Sequence, residues 1–280
     1  MSTTVSWPPE VVAALRCSVC GDAVDLDGRT MRCARRHAFD VAKQGYVNLL
    51  HAKVDAGTAD TADMVASRAE FLGAGHYGGL ADLVAAQAAA VAGSGLIVDA
   101  GAGTGYYLAR VLDQLPGMTG LALDVSAPAL RHAARAHPRI SAAVWNLWQR
   151  WPVADQSASL VLNVFAPRNA AEFHRVMRPG GHLIVASPGP GHLRELAAVV
   201  DLLEVDGRKD ERIEDALSGY FSLTRRHEHG GRLRLPPADV WRAVMMGPTA
   251  HHPVRLARLS DVDEPLEVTT SFAVSVYRKS

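Results

Sequence analysis

Cysteine is scarce in this chain, aromatic residues are few, and the two signs of charge cancel. The three cysteines, Cys17, Cys20 and Cys33, cannot all pair within one chain, and so tight a cluster is a poor disulfide framework. With 29 basic and 29 acidic residues the net charge is zero, which excludes a protein that coats nucleic acid through bulk charge. Any nucleic-acid partner must be gripped by local patches. No apolar run reaches the roughly 18 to 20 residues of a membrane span, and the first turns of the sequence lack a signal-peptide stretch. A cytoplasmic protein with no membrane partner is expected. Hydrophobic residues, by contrast, make up 48% of the 280 positions, ample for a buried core and against a mostly disordered chain.

Two basic patches stand out. Arg29, Arg32, Arg35, Arg36 and Lys43 face only Asp40 across residues 28–43, and Arg225, Arg226, Arg232 and Arg234 face only Glu228 across 225–234. Overlapping the first patch, Cys17 and Cys20 are followed by Cys33 and His37 in the pattern Cys-x2-Cys-x12-Cys-x3-His. Two pairs, each spaced for a tight turn to aim both side chains at one ion, are what tetrahedral Zn2+ requires. With all four places filled by protein the site is structural rather than catalytic. A redox Cys-x-x-Cys is the alternative, but it leaves Cys33 and His37 unexplained. The region before residue 50 has few apolar residues, so metal is expected to supply much of its folding free energy, on the order of 10 kcal/mol.

Beyond a polar linker at 51–58, helical spacing predicts helices over 60–72 and 79–92. Strands and helices then alternate: strand 96–98, helix 104–114, strand 121–123, helix 127–136, strands 142–144 and 160–162, helix 170–177 and strand 182–186. This alternation implies an α/β fold with a doubly wound, mostly parallel sheet. The stretch Val268–Tyr277 alternates like an edge strand. Three segments follow: a zinc-binding module over 1–50, a linker and helix over 51–78, and the α/β domain over 79–280.

The first strand of that domain runs into Asp99-Ala100-Gly101-Ala102-Gly103-Thr104-Gly105. A dinucleotide fingerprint would need glycine at 106, where Tyr106 stands. Asp124 ends the next strand, where a carboxylate can accept bonds from both ribose hydroxyls of an adenosine. Loop and acid together point to S-adenosylmethionine rather than a dinucleotide.

These residues, with Arg178-Pro179-Gly180-Gly181, resemble the class I S-adenosylmethionine-dependent methyltransferases. Cys17-x-x-Cys20 and Cys33-x-x-x-His37-x-Phe39-Asp40-x-Ala42-Lys43-x-Gly45-Tyr46-Val47-Asn48-Leu49-Leu50 resemble the zinc module of the large-subunit rRNA guanine-N1 methyltransferases. Met64-x-x-x-Arg68-x-x-Phe71-Leu72-x-x-Gly75-His76-Tyr77 and Ser187-Pro188-Gly189-Pro190-x-His192-Leu193 match the same family. The chain most resembles its tylosin-resistance branch. That resemblance implies methylation of guanine N1 in a 23S rRNA hairpin loop near the macrolide site, a homodimer, and a place for Tyr77 in the cofactor pocket. By position after a parallel strand, His192 is also expected there. The basic module, with Arg35, Arg36 and Lys43, is expected to hold the RNA. One departure from the family is the run VWNLWQRW at 144–151. Its three tryptophans either stack on bases or belong to the core, and the local cofactor contacts, including any role for Asn146, stay open.

Guanine N1 carries a proton that must leave before its lone pair can attack, so a base or a relay to water is required. His76, Tyr77, His192 and Asn163 are candidates, and spacing does not choose among them. Two other functions fit the sequence: a methyltransferase of a small molecule or protein, or a catalytically silent zinc-bearing rRNA-binding factor.

Overall fold

The protein is described here from a computed structural model covering residues 7–50, 59–198, 200, 215–251 and 259–280. The linker expected at 51–58 lies outside the described residues. The amino-terminal segment holds helix α1 (Pro9–Ala14) and a small antiparallel sheet of β1 (Val24–Asp27), β2 (Thr30–Cys33) and β3 (Ala38–Asp40). Gly28, with φ +59°, turns the β1–β2 hairpin where Asp27 pairs with Thr30. The next strand, β4 (Tyr46–Asn48), leaves this small sheet for the large one.

Helix α2 (Ala62–Gly73) starts at Thr61, whose hydroxyl accepts the Met64 N–H at 3.3 Å, and α3 (Gly78–Val91) follows. Then come β5 (Gly95–Ala100), α4 (Tyr106–Gln114), β6 (Met118–Asp124), α5 (Ala127–Ala136), β7 (Ile140–Val144), β8 (Ala158–Val164), α6 (Ala170–Val176) and β9 (Met177–Pro188). The chain ends in β10 (Phe221–Leu235), α7 (Pro237–Met245) and β11 (Leu266–Lys279). The large sheet has the order β10-β11-β9-β8-β5-β6-β7-β4. Strands β4 to β9 within it run parallel, while β11 and β10 are antiparallel additions. The mostly parallel α/β sheet is therefore present, and strands such as β7 and β8 are buried at every residue, as coverage on both faces demands.

Two sequence expectations need correction. The stretch Val268–Tyr277 is not an edge: β10 pairs along its whole length and takes the outer place. The Pro179-Gly180-Gly181 turn does not separate helix 170–177 from strand 182–186 but lies inside β9 and interrupts it. The pairing slips there between Ala158↔Met177 and Leu160↔His182.

One hydrophobic cluster fills each face of the large sheet. The first gathers Leu80, Leu108, Leu112, Leu130 and Val240 from α3, α4, α5 and α7. The second joins Trp7, Val11, Leu15 and Met31 of the amino-terminal segment to Val98, Leu121, Leu123, Trp151 and Phe173. The segment before residue 50 thus shares the main core, so packing against the large sheet contributes to its folding beside the metal expected to supply much of that free energy. No helix among the described residues is long and apolar enough to cross a membrane.

Candidate functional site

Parallel strands place their carboxyl ends along one edge, and the residues that follow each strand meet there. From β5 come Asp99 and the glycine loop, and from β6 comes Asp124. One oxygen of Asp124 accepts the Gly103 N–H at 2.9 Å and the other accepts the Ser126 N–H at 2.8 Å. These two bonds tie the glycine loop to the tip of β6 and leave further lone pairs on a carboxylate. Burial pushes the Asp124 carboxyl up, and the Ser126 and Gly103 amides pull it back. Asp99 lies fully inside, with its Oδ1 facing no protein partner, and its carboxyl is pushed up to about 8 by burial and then by the charge of Asp124.

The glycines of the loop do different jobs. A Cβ on Gly101, at φ +83°, would sit 2.3 Å from the Ala166 Cβ, so this glycine answers to packing. Gly105 is likewise pressed by the Ala133 backbone at 2.8 Å. At Gly103 (φ +52°) a Cβ would meet only the Arg68 side chain, at 3.4 Å, so neither backbone nor core packing crowds this glycine. Thr104 is buried beside it. Arg68 reaches over the loop from α2, paired with Asp60 and donating to the Met246 carbonyl at 2.6 Å. The Asp60 carbonyl in turn accepts the Ser126 hydroxyl at 2.9 Å. Neither Arg68 nor Asp60 was singled out by sequence reasoning as a site residue, although Arg68 stands in the family-like motif.

Tyr77 and His192, far apart in sequence, are joined by a 3.2 Å hydrogen bond between the phenol oxygen and Nε2. His192 Nδ1 accepts the Ser271 N–H at 3.2 Å, so the proton sits on Nε2, which donates to Tyr77. Burial pushes the Tyr77 phenol up, so its own proton stays in place and can be donated. Phe71, Phe165 and Phe272 pack around this pair, with Tyr107 of α4 against Phe165. Phe165 was not anticipated; it follows β8 directly in a left-handed conformation, φ +54°.

The other candidates for a proton acceptor are engaged elsewhere or too weakly basic. His76 Nε2 lies 2.8 Å from Asp239 on α7, which also pairs with Arg242. The Asn163 amide N–H groups donate to the carbonyls of Ala100 and Pro167, bracing the loops, while its Oδ1 faces no protein partner and, as an amide oxygen, is too weak a base to take a proton. The three tryptophans divide: Trp145 and Trp151 are 4% and 2% exposed, whereas Trp148 is 67% exposed. Asn146 accepts the Trp148 N–H at 3.0 Å and so shapes that loop.

In the amino-terminal segment the ligand atoms of Cys17, Cys20, Cys33 and His37 all lie within 4.8 Å of one another. His37 Nδ1 is 3.4 Å from Cys17 Sγ and 3.3 Å from Cys33 Sγ, and the Cys20 and Cys33 sulfurs are 3.7 Å apart. A tetrahedron with bonds of about 2.3 Å to sulfur and 2.0–2.1 Å to nitrogen has edges of roughly 3.5–3.8 Å. The donor set fits zinc. Arg35, Arg36 and Lys43 are exposed beside it, and Arg35 is 3.1 Å from Asp22.

Comparison with known proteins gives matching results. Residues 15–54 match a zinc-ribbon family model described as RlmA, N-terminal, and residues 97–181 match a methyltransferase domain. A provisionally named 23S rRNA (guanine-N1) methyltransferase of Micromonospora griseorubida is 46% identical, over 96% of this chain and 99% of that protein. The 23S rRNA (guanine(748)-N1)-methyltransferase of Streptomyces fradiae is 44% identical, over 96% and 98%. Among solved structures, the YcgJ protein of Bacillus subtilis matches with TM-score 0.51 and 12% identity, over 73% of this chain and 99% of that one, a likeness of fold alone.

Proposed function

Since the chain belongs to the family of 23S rRNA (guanine-N1) methyltransferases, we propose that it methylates N1 of one guanosine in a 23S rRNA hairpin loop. In this reading the nucleotide is the one for which the Streptomyces relative is named, guanine 748, and the product, as the sequence resemblance to the tylosin-resistance branch implies, lowers binding of tylosin-type macrolides. The observation that carries the reading is the end-to-end match, which takes in both the Cys3His cluster and the glycine loop.

Bound S-adenosylmethionine would supply a methyl already activated on a sulfonium. Asp124 would accept the ribose hydroxyls with the lone pairs that Gly103 and Ser126 leave free, and Gly103 would admit the cofactor beneath Arg68. The buried acceptor of Asp99 and the donor of Tyr77, held by His192, are the further polar groups offered to it. Zinc on Cys17, Cys20, Cys33 and His37 would fix the turn that displays Arg35 and Arg36, with Lys43 nearby, so that phosphates position the RNA. His76 faces Asp239, an amide oxygen such as that of Asn163 is too weak a base to take a proton, and Tyr77 is a donor, so the proton of N1 leaves through water in this reading. A methyl on N1 removes a hydrogen-bond donor and adds bulk at the base edge, which a drug packed on that loop would meet.

The test is expression in a tylosin-sensitive host, with primer extension and mass mapping of its rRNA. A single new stop at a 23S guanosine with raised tylosin tolerance is expected. A methyl elsewhere would overturn the substrate assignment, and a methylated guanosine without tolerance would remove only the resistance role.

A further inference from the structure

Of the large apolar side chains that stand exposed among the described residues, two flank the glycine loop. Trp148 is 67% exposed and Phe165 is 40% exposed. Their chain neighbours, Leu147 and Ala166, both pack against Gly101, at 3.6 Å and 2.3 Å from its Cβ position. Asn169, which begins α6 just beyond Phe165, donates to the Leu147 carbonyl at 2.9 Å and binds the two loops together.

The loop that carries Trp148 is held on both sides. Trp145 N–H donates to the Asp124 carbonyl at 2.8 Å. Trp151 donates its backbone N–H to Glu172 at 2.6 Å and its indole N–H to the Leu147 carbonyl at 3.0 Å. Two indoles are thus sunk as anchors, and the third is presented to solvent on a braced turn. Arg150, with its side chain 74% exposed and 3.5 Å from the likewise exposed Asp155, stands two residues away in sequence. On the other side, Phe165 is kept in a conformation that L-residues rarely adopt, by its N–H bond to the Ala186 carbonyl at 3.0 Å. Its ring leans on Phe272, Tyr107 and Tyr77, with centroids 5.8, 6.2 and 6.4 Å away. Strain held beside a proposed cofactor pocket, in a residue that shows an aromatic face, calls for a ligand with a flat face of its own.

We propose that Trp148 and Phe165 are the two jaws of an aromatic clamp for unstacked RNA bases: Phe165 takes the guanine that receives the methyl, and Trp148 takes a neighbouring base. The inference rests on the reading of the substrate as rRNA. The N1 edge is hidden in any paired base, so the target must be splayed out of its loop, and splayed bases are held by stacking on aromatic side chains. Phe165 is assigned the target because it abuts the wall formed by Tyr77 and Tyr107. Trp148, further out and beside Arg150, is placed for a base whose phosphate meets a cation.

The experiment uses the full chain, S-adenosylmethionine and a 23S hairpin transcript spanning the methylated guanosine. Loss of one stacked base is expected to weaken RNA engagement about 5- to 150-fold. Trp148→Ala should raise the RNA KM far more than it lowers kcat, and Trp148→Phe should restore most of the loss. RNA-dependent quenching of indole fluorescence should largely vanish in Trp148→Phe. Phe165→Ala should lower kcat at saturating RNA, recover in Phe165→Tyr, and keep its affinity for S-adenosylhomocysteine. Unchanged KM and unchanged quenching in the Trp148 variants would overturn the outer jaw. A Phe165→Ala protein that loses cofactor affinity in step with rate would make Phe165 a cofactor wall instead. A Trp148→Ala chain that changes oligomeric state without changing RNA KM would assign the indole to a protein contact, also against the proposal. If the unaltered chain methylates no 23S transcript, the rRNA reading falls and this one with it. If it does, while both alanine variants behave as the unaltered chain, the clamp alone is refuted.

Discussion

Replacing Asp124 with alanine removes two kinds of bond at once, and they are measured separately. Within the protein, the carboxylate holds the Gly103 N–H at 2.9 Å and the Ser126 N–H at 2.8 Å. Each hydrogen bond to a charged group contributes about 1.5–3 kcal/mol. Burial opposes this gain, as the raised carboxyl pKa records, and alanine removes that opposition too. The expected net loss of folding stability is therefore smaller than two full bonds, about 1–3 kcal/mol. Toward the cofactor there is no such offset, because the desolvation is already in place before the ligand arrives. Losing the ribose acceptor should cost about 1.5–3 kcal/mol, or roughly 10- to 150-fold in affinity. Asp124→Asn should resemble the alanine variant, since its amide would turn a donor toward one of the two N–H groups. Calorimetric titration with S-adenosylhomocysteine reads the second quantity and urea unfolding the first. A folded Asp124→Ala protein that binds with unchanged affinity would refute the assignment of this carboxylate to the ribose.

Four further outcomes are expected. Metal analysis should find one zinc per chain, absent in Cys33→Ala; a variant with full zinc and an intact ribbon would contradict the Cys3His site. Gly101→Ala should destabilise the protein more than Gly103→Ala, because only the former meets Ala166 at 2.3 Å, and Ala166→Gly should recover part of that loss in chemical denaturation. In the cofactor-free protein, the raised Asp99 pKa means that the native state binds more protons than the unfolded state between about pH 4 and 8. Stability should therefore fall as pH rises through that window, by up to about 1.4 kcal/mol per unit, and Asp99→Asn should flatten the slope; identical pH profiles would contradict it. Charge reversal at both Arg35 and Arg36 should reduce rRNA methylation and leave S-adenosylhomocysteine affinity alone, as radiolabel transfer and titration would show.

Local chemistry made much of this protein readable. The parallel strands are continuous apolar runs closed by Asp, Gly or Pro, and helix starts such as Thr61 and Ser126 carry their own caps, so β5 to β8 and α2 to α6 lie where the pattern put them within a few residues. The Cys3His cluster is legible because its four ligands reach one point through two short turns. What was not legible depends on partners distant in sequence. Strand β10 reads as charged surface, and it is a strand only because β11 pairs with it throughout. Trp145, Trp148 and Trp151 are one residue type in one loop, and it is packing into the cluster shared with Val98, Leu121 and Phe173 that buries Trp145 and Trp151 and leaves Trp148 out. His76 looked available until α7 brought Asp239 to it across 163 positions. The closure of Arg68 and Asp60 over the glycine loop likewise joins segments that no spacing rule connects.

The short strand β4 has a practical consequence for anyone retargeting such an enzyme. It comes from the ribbon side of the chain, yet it is the last rung of the catalytic sheet, paired with β7 at Tyr46↔Ala142 through Asn48↔Val144. Cutting the chain at residue 50 would strip β7 of its neighbour and bare a row of backbone N–H and C=O groups ready to join another chain. The same cut would unroof the apolar face that Trp7, Val11 and Leu15 cover. The ribbon, for which we propose RNA recognition, and the methyltransferase sheet are therefore not interchangeable cartridges here. A graft that moves the ribbon has to carry β4 and α1 with it, and a change of RNA preference is better sought by replacing exposed side chains such as Arg35, Arg36 and Trp148 in place.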